Sequence, residues 1–175
     1  PEPFRVVEDA CRAAGATLVP TWDGVTSTFG MRDGAAVLDV VTPVRRYDGV
    51  ALALRGRHQV SNALVAIRLL ESMAAHGIAV PGHAIEAGLR GARWPGRLEM
   101  IRLRDGRSAL VDAAHNPAGA RTLADHLRDA YPGGLPLVVH TRSASADTLA
   151  LLRDEGQGAV RGVFHCFTET LAVAP

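Results

Sequence analysis

Lysine is absent from these 175 residues, so all 19 basic residues are arginine. A chain without lysine can form neither a P-loop lysine contact to phosphate nor a Schiff base. The arginines are nearly balanced by 18 acidic residues and are not gathered into a basic block. This balance argues against a general nucleic-acid-binding protein, so nucleic acid is not an expected partner.

Long apolar runs are lacking as well. None approaches the roughly 18 residues needed to cross a bilayer, so we expect no membrane-spanning helix and no membrane partner. The two cysteines, Cys11 and Cys166, make neither a disulfide framework nor a paired-cysteine metal site. That usage fits a reducing compartment, and we expect a cytoplasmic protein.

The hydrophobic pattern alternates between helical and extended segments, which predicts an α/β fold. Predicted helices cover residues 3–14, 61–76, 83–89, 117–130 and 146–155. Predicted strands cover residues 17–19, 35–41, 49–54, 98–104, 108–112, 135–140 and 160–167.

One predicted strand ends in a group of polar residues. Asp112 closes the strand, and His115 and Asn116 lead into the helix that begins at Pro117. Ligands of open α/β sheets lie outside the carboxyl ends of the strands, and a helix N-terminus there attracts phosphate. An aspartate can accept hydrogen bonds from ribose hydroxyls. The residues alone leave two interpretations open: a ligand site, or a simple helix cap at Asn116.

Three motifs follow one another within residues 1–131. They are Gly56-Arg57-His58-Gln59-Val60-Ser61-Asn62-Ala63, Trp94-Pro95-Gly96-Arg97-Leu98-Glu99, and the segment from Ala109 to Pro117. Their order and spacing resemble the C-terminal part of folylpolyglutamate and dihydrofolate synthases, relatives of the Mur ligases. In that family ATP activates a pterin-linked carboxylate as an acyl phosphate, and the amino group of glutamate attacks it to form an amide. The resemblance implies ATP and Mg²⁺ as cofactors, with folate and glutamate as substrates.

The same resemblance implies four nucleotide-binding residues and no catalytic residue. Asn62 would bind the adenine edge, because an amide offers a donor and an acceptor together. Arg97 would contact the phosphates, Asp112 would take the ribose side, and His115 would lie close to the phosphates.

Each assignment has a structural alternative. Asn62 could help to cap its helix, and Arg97 could be a solvated surface arginine. His58 and Gln59 are interpreted as residues that shape the turn before the helix, and Trp94 as a packing residue.

The GxxxxGK[ST] loop of those ligases has no match in these residues. Its lysine neutralises phosphate charge and its hydroxyl binds Mg²⁺. We therefore expect the chain to lack the P-loop half and not to catalyse ligation alone.

A second pattern occupies residues 135–175, where apolar strands end in His140 and His165. The segments Leu135–Arg142 and Gly162–Thr168 resemble TatD-type metal-dependent deoxyribonucleases, which are TIM barrels with metal-binding histidines at strand ends. The resemblance implies His140 and His165 as metal ligands. Because three or more protein ligands are usual, the pair makes an incomplete site. Remnant histidines are the favoured interpretation, with weak Zn²⁺ or Ni²⁺ binding left open.

The two resemblances predict three segments. Residues 1–93 would be the tail of an ATP-binding central domain, residues 94–132 the start of a Mur-ligase-type C-terminal domain, and residues 133–175 a TatD-like β-α-β segment. The expected α/β fold is thus a mixed sheet followed by a Rossmann-like parallel β-α-β-α-β unit.

Three functional classes follow from this organisation. The first is an ATP-dependent amide ligase that adds glutamate to folate or dihydropteroate. The second is a metal-dependent hydrolase fragment of the TatD type. The third is a non-catalytic nucleotide-binding module.

Overall fold

The computed structural model describes residues 2–134, 136–140, 150, 153–154 and 162–165. The chain divides into two compact units, Pro1–Ala130 and Tyr131–Pro175. In the described part of the chain, no helix combines the length and apolar character that a membrane crossing requires.

The helices are α1 (Glu2–Ala14), α2 (His58–Ser72), α3 (Gly82–Gly91) and α4 (Pro117–Ala130), and a 3₁₀ turn at Met73–His76 continues α2. The strands are β1 (Thr26–Arg32), β2 (Ala35–Val41), β3 (Arg46–Arg55), β4 (Glu99–Arg102), β5 (Ser108–Val111), β6 (Leu137–His140) and β7 (Gly162–His165).

The first sheet is antiparallel, in the order β1-β2-β3. Asp33 and Gly34 join β1 to β2 with φ angles of +50° and +77°. Positive φ at both central residues is the geometry of a two-residue hairpin turn whose twist matches that of the strands. The Asp-Gly pair therefore fixes the register that places Arg32 opposite Ala35.

The hydrophobic core lies between this sheet and two helices. Buried residues alternate with less buried ones along β2, and α2 supplies apolar residues at helical spacing, so each element presents one apolar face. The core residues are Ala36, Leu38, Val40, Tyr47, Val50, Leu52, Val60, Ala63, Leu64, Ile67 and Ile85.

The second part of the first unit is a hairpin followed by a helix. β4 pairs antiparallel with β5, and Glu99 lies opposite Val111. The connection is short: the Leu103 amide donates to the Arg107 carbonyl at 2.8 Å. At the start of α4 the Gly119 amide donates to Asn116 Oδ1 at 2.8 Å. Asn116 is therefore the helix cap.

In the second unit, β6 and β7 form a parallel pair. His140 and His165 are the last residues of their strands and lie opposite one another in the register.

The predicted α/β class is confirmed. The Rossmann-like parallel unit is not: β5 pairs antiparallel with β4, and the parallel pairing in the described residues joins β6 to β7. A short hairpin connection gives antiparallel pairing, whereas parallel strands need a long crossover.

Two strand predictions differ from the structure. The strand expected at 17–19 is wrong: these residues lie outside any strand, and none of the described strands pairs with them. β1 was not predicted, because most of its residues are exposed and it lacks an apolar alternation. The helix expected at 146–155 lies mostly outside the described residues.

Candidate functional site

The first unit contains a cavity of about 480 Å³. It is lined by residues from the end of β3, from α2, from the loop before β4, from the segment after β5, and from α4. The lining residues are Leu54, His58, Gln59, Asn62, Trp94, Arg97, Leu98, Asp112, Ala114, Gly119, Thr122 and Leu123. Three of the four residues predicted to bind nucleotide, Asn62, Arg97 and Asp112, therefore share one cavity.

His115, the fourth predicted residue, is not among the lining residues. It is exposed, and its Nδ1 lies 3.1 Å from the Ala113 carbonyl oxygen. The structure therefore brings three of the four predicted residues together.

The close approach of two segments at Gly56 positions the cavity wall. Gly56 ends the β3 region with a φ of +97°, where glycine is favoured. A Cβ built on Gly56 would lie 2.6 Å from His58 Cε1 and 2.8 Å from Leu98 Cδ1. The missing side chain therefore allows the start of α2 and the loop before β4 to meet.

Asn62 lies in the second turn of α2 and does not cap the helix, which begins at His58. Its Nδ2 donates to Gln59 Oε1 at 3.0 Å, and Gln59 Nε2 lies 2.9 Å from His58 Nε2. Gln59 is buried. The spacing of three and four residues places all three side chains on one helix face. That spacing is the sequence signal that could have placed His58 and Gln59 in the site, although they were interpreted as residues that shape the turn.

Asp112 joins the two segments that flank the β4–β5 hairpin. Its Oδ2 accepts from the Leu98 amide at 3.0 Å and its Oδ1 accepts from the Ala114 amide at 2.8 Å. Glu99 adds a second tie, because its Oε2 accepts from the Gly96 amide at 2.9 Å. Asp112 thus orders the loop that carries Arg97, a role that the sequence analysis did not anticipate.

The neutral form of His58 is favoured chiefly by its burial. Burial lowers the pKa of His58, Arg97 lowers it further, and Asp112 opposes both effects. Arg97 lines the cavity and is exposed to solvent. The cavity therefore offers a positive charge at Arg97, a carboxylate at Asp112 and an uncharged imidazole at His58.

Two observations place α4 close to the start of α2 and to the β1–β2 turn. Arg57 Nε lies 2.8 Å from Asp129 Oδ2, and both side chains are mostly exposed. His126 is buried on α4, and a Cβ at Gly34 would lie 3.1 Å from its Cε1. Burial lowers the pKa of His126, and Arg55 lowers it further.

No metal centre is evident in the described part of the chain, where no three His, Cys, Asp or Glu side chains are grouped to hold an ion. Asp112 is the carboxylate that lines the cavity, and both of its oxygens accept backbone amides. These residues do not fit a Mg²⁺ site of their own, because Mg²⁺ takes oxygen ligands in near-octahedral geometry.

The cavity suits a flat ligand with polar edges and an anionic end. Leu54, Leu98 and Leu123 supply apolar walls, and Asn62 supplies an amide for an edge. Arg97 can pair with an anionic group.

A family model described as "TatD related DNase" matches residues 109–175. The match is shorter than half of the chain, and it begins 26 residues before the segment that carries the predicted TatD resemblance. A 34-residue stretch is 62% identical to an uncharacterized metal-dependent hydrolase of Escherichia coli, covering 19% of this chain and 13% of that protein.

Relatives with longer matches include synthases. A dihydrofolate synthase/folylpolyglutamate synthase of Mycobacterium tuberculosis is 41% identical over 83 residues, which is 46% of this chain and 17% of that protein. The crystal structure of the Mycobacterium tuberculosis folylpolyglutamate synthase complexed with ADP and AMPPCP matches 94% of this chain and 43% of its own. The TM-score is 0.69 and the identity is 25%.

These matches confirm the resemblance to folylpolyglutamate and dihydrofolate synthases, which share the Mur ligase fold. The chain spans about a quarter or less of the length of the curated synthases that it matches, at 17% and 27%.

Proposed function

We propose that residues 1–130 form part of the nucleotide site of an ATP-dependent ligase that joins glutamate to folate or dihydropteroate. The observation that carries the proposal is the shared cavity of Asn62, Arg97 and Asp112. The similarity to synthases, one of them solved with ADP and AMPPCP, supports the choice of nucleotide. Such a ligase would act in the cytoplasm, as the cysteine usage suggests.

Each of the three residues has a task that its chemistry suits. The Asn62 amide offers a donor and an acceptor to the adenine edge. Asp112 keeps acceptor capacity for a ribose hydroxyl, because each carboxylate oxygen can accept more than one hydrogen bond. The Arg97 guanidinium would bind the phosphates as a permanently charged fork.

In the complete reaction, a carboxylate oxygen of the pterin substrate attacks the γ-phosphorus and ADP leaves. The glutamate amine then attacks the acyl phosphate carbon and inorganic phosphate leaves. Arg97 would stabilise negative charge during the first step.

Calorimetric titration of the 175-residue chain with ATP and with adenosine tests the site. Arg97→Ala should weaken ATP binding roughly tenfold and leave adenosine binding nearly unchanged, because hydrogen bonds to charged groups contribute about 1.5–3 kcal/mol. Asn62→Ala should weaken the binding of both ATP and adenosine. Arg102→Ala, an exposed arginine on β4, is the matched control and should change neither. Equal effects of the two arginine variants would refute the assignment.

We further propose that these residues do not catalyse ligation without a partner that supplies a P-loop. The sequence has no lysine and no GxxxxGK[ST] motif. Without these groups, ATP lacks most of its phosphate contacts. ADP release by the purified chain with folate and glutamate would contradict the proposal.

A second candidate function concerns the second unit. His140 and His165 are paired in the register of β6 and β7, and the family match to TatD-related DNases covers both strands. We propose no more than weak binding of Zn²⁺ or Ni²⁺ there, because imidazole suits these ions but two ligands are too few for a tight site. Calorimetry with Zn²⁺ tests it: His140→Ala and His165→Ala should each abolish the weak uptake, and His76→Ala should not.

A further inference from the structure

His58, Gln59 and Asn62 form a hydrogen-bond relay that ends at the cavity. Asn62 Nδ2 donates to Gln59 Oε1 at 3.0 Å, which leaves Gln59 Nε2 to face His58 Nε2 at 2.9 Å. An amide nitrogen only donates. His58 Nε2 must therefore accept, and the proton of the neutral ring lies on Nδ1.

This direction of the relay determines what Asn62 offers to a ligand. One hydrogen of Asn62 Nδ2 is engaged by Gln59. Its second hydrogen and its Oδ1 take part in no hydrogen bond within the described residues, and the side chain lines the cavity. The amide thus presents a donor and an acceptor in a fixed order. An adenine edge, with its amino donor beside a ring-nitrogen acceptor, is complementary to such a pair.

We propose that the His58–Gln59–Asn62 relay is a specificity-determining element that orients the Asn62 amide for a 6-amino purine and against a 6-oxo purine. The proposal rests on the nucleotide site proposed above. His58 and Gln59 act here as positioning residues, since the ligand contact is made by Asn62. A 6-oxo purine places an acceptor where the 6-amino purine places a donor, so the same amide orientation matches it poorly.

The relay can be reversed by one proton. A proton on His58 Nε2 would face the Gln59 Nε2 donor, and the Gln59 amide would turn to present Oε1 to the ring. Gln59 Nε2 would then face Asn62 Nδ2, and the Asn62 amide would turn in the same way. After both turns, the donor and acceptor that Asn62 offers have exchanged places.

The surroundings of His58 keep the ring neutral at neutral pH. Arg97 on the loop before β4 disfavours its charge, Asp112 after β5 favours it, and His126 on α4 is a second titratable group nearby. Burial has the largest effect and disfavours the charge, so the pKa of His58 lies below its ordinary value. Within the described residues, His58 Nδ1 is buried without a hydrogen-bond partner, which leaves Gln59 as the group that sets the tautomer.

The test compares ATP with inosine triphosphate by calorimetry on the 175-residue chain. Titrations run from about pH 8 down to about pH 5, because burial places the pKa of His58 below the ordinary histidine value of about 6.5. The ratio of the two affinities is the readout, because titration of the phosphates affects both ligands alike. The wild type should prefer ATP roughly tenfold or more at the higher pH and lose most of that preference at the lower pH.

Two substitutions at Gln59 separate the relay from simple packing. Gln59→Met keeps the length of the side chain and removes its hydrogen bonds, so the preference should be small at both pH values. Gln59→Glu supplies two acceptors, one for Asn62 Nδ2 and one for a protonated His58, so the preference should persist at the lower pH. His76→Asn, at an exposed histidine, should behave as wild type.

The proposal would be overturned if Gln59→Met kept the wild-type preference for ATP over inosine triphosphate and its dependence on pH. If the chain binds no nucleotide at all, the function proposed above fails. The hydrogen-bond relay can then still be tested on the free chain. Long-range ¹H–¹⁵N spectra of the free chain should show the neutral His58 ring protonated on Nδ1. A ring protonated on Nε2 would overturn the relay whether or not the chain binds nucleotide.

Discussion

The two parts of the first unit are stabilised in different ways. Residues 26–91 contain the sheet β1-β2-β3 with α2 and α3, and they supply every residue of the hydrophobic core cluster. Residues 94–130 contain α4 and the strands β4 and β5, and the residues of both strands are exposed or half-buried. The stability of this second part depends on side-chain hydrogen bonds and on contacts to the first part. The cavity draws its lining from both parts, so its shape depends on the less densely packed one.

The largest expected effect comes from the core of the first part. Ile67 on α2 is fully buried, whereas Leu69 on the same helix is 61% exposed. Ile67→Ala should lower the free energy of unfolding by about 3–4 kcal/mol, because it removes buried carbon atoms and leaves a cavity. Leu69→Ala is the matched control and should change it little. Denaturant unfolding measures both, and equal losses would show that the core is not where the first part gains its stability.

A smaller effect is expected at Asp112, in the second part. Asp112→Ala should destabilise the chain by about 2 kcal/mol, because the Leu98 and Ala114 amides lose their acceptor. Asp105→Ala is the control: Asp105 also accepts a backbone amide, from Arg107, but on an exposed turn. If the two aspartate variants unfold alike, the tie between the loop and β5 is not a stabilising feature.

The third prediction concerns pH and the contact between the parts. The pKa of His126 in the folded chain is lowered, chiefly by burial and then by Arg55, so the unfolded chain binds the proton more readily. The free energy of unfolding should therefore be highest above the pKa of an unfolded histidine, about 6.5, and should fall as the pH drops below that value. His58 acts in the same direction.

The measurement is the pH dependence of the unfolding free energy. His126→Gln should reduce this dependence, and the further change His58→Gln should reduce it again. His76→Gln, at an exposed site, should leave it as in wild type. If the unfolding free energy of His126→Gln depended on pH as in wild type, protonation of His126 would not be a source of acid destabilisation.

The smallest effect is expected at the ion pair between the parts. Asp129→Asn removes the charge opposite Arg57, and both side chains are more than half exposed. Solvent screening limits the loss to about 0.5 kcal/mol or less, and salt should remove the difference. Asp125→Asn, which removes a pair within α4, serves as the control. A loss above that of Asp112→Ala would reverse the ranking of the contacts.

Local signals predicted some elements well. The helix expected at 117–130 has the observed bounds, because Asn116 and Pro117 mark its start. α2 begins at His58 rather than at the expected residue 61. The sequence carries no capping signal for this start, because the residue at the N-cap position is Arg57 and makes no side-chain cap. β1 depends on pairing with β2, and its exposed residues carry little pattern of their own. The Asp33-Gly34 turn was the local signal that could have revealed it.

The candidate site shows the same division. The motifs supplied Asn62, Arg97 and Asp112, which line one cavity. The relay through Gln59 depends on side-chain directions in the fold, and the interaction of Asp112 with the Leu98 amide depends on a contact between residues 14 positions apart. Neither contact follows from composition or periodicity, because both depend on where tertiary packing places the partners.

The turn at Gly34 has a consequence for how the molecule tolerates change. A side chain there would meet Arg55 Nη1 at 2.9 Å and His126 at 3.1 Å, so enlargement of this surface turn would press on α4. Thr122 lies one helical turn before His126, on the same face, and borders the cavity. Insertions in the first hairpin would thus press on the α4 wall of the cavity from a position about 90 residues away in sequence, although surface turns of this kind usually accept added residues freely.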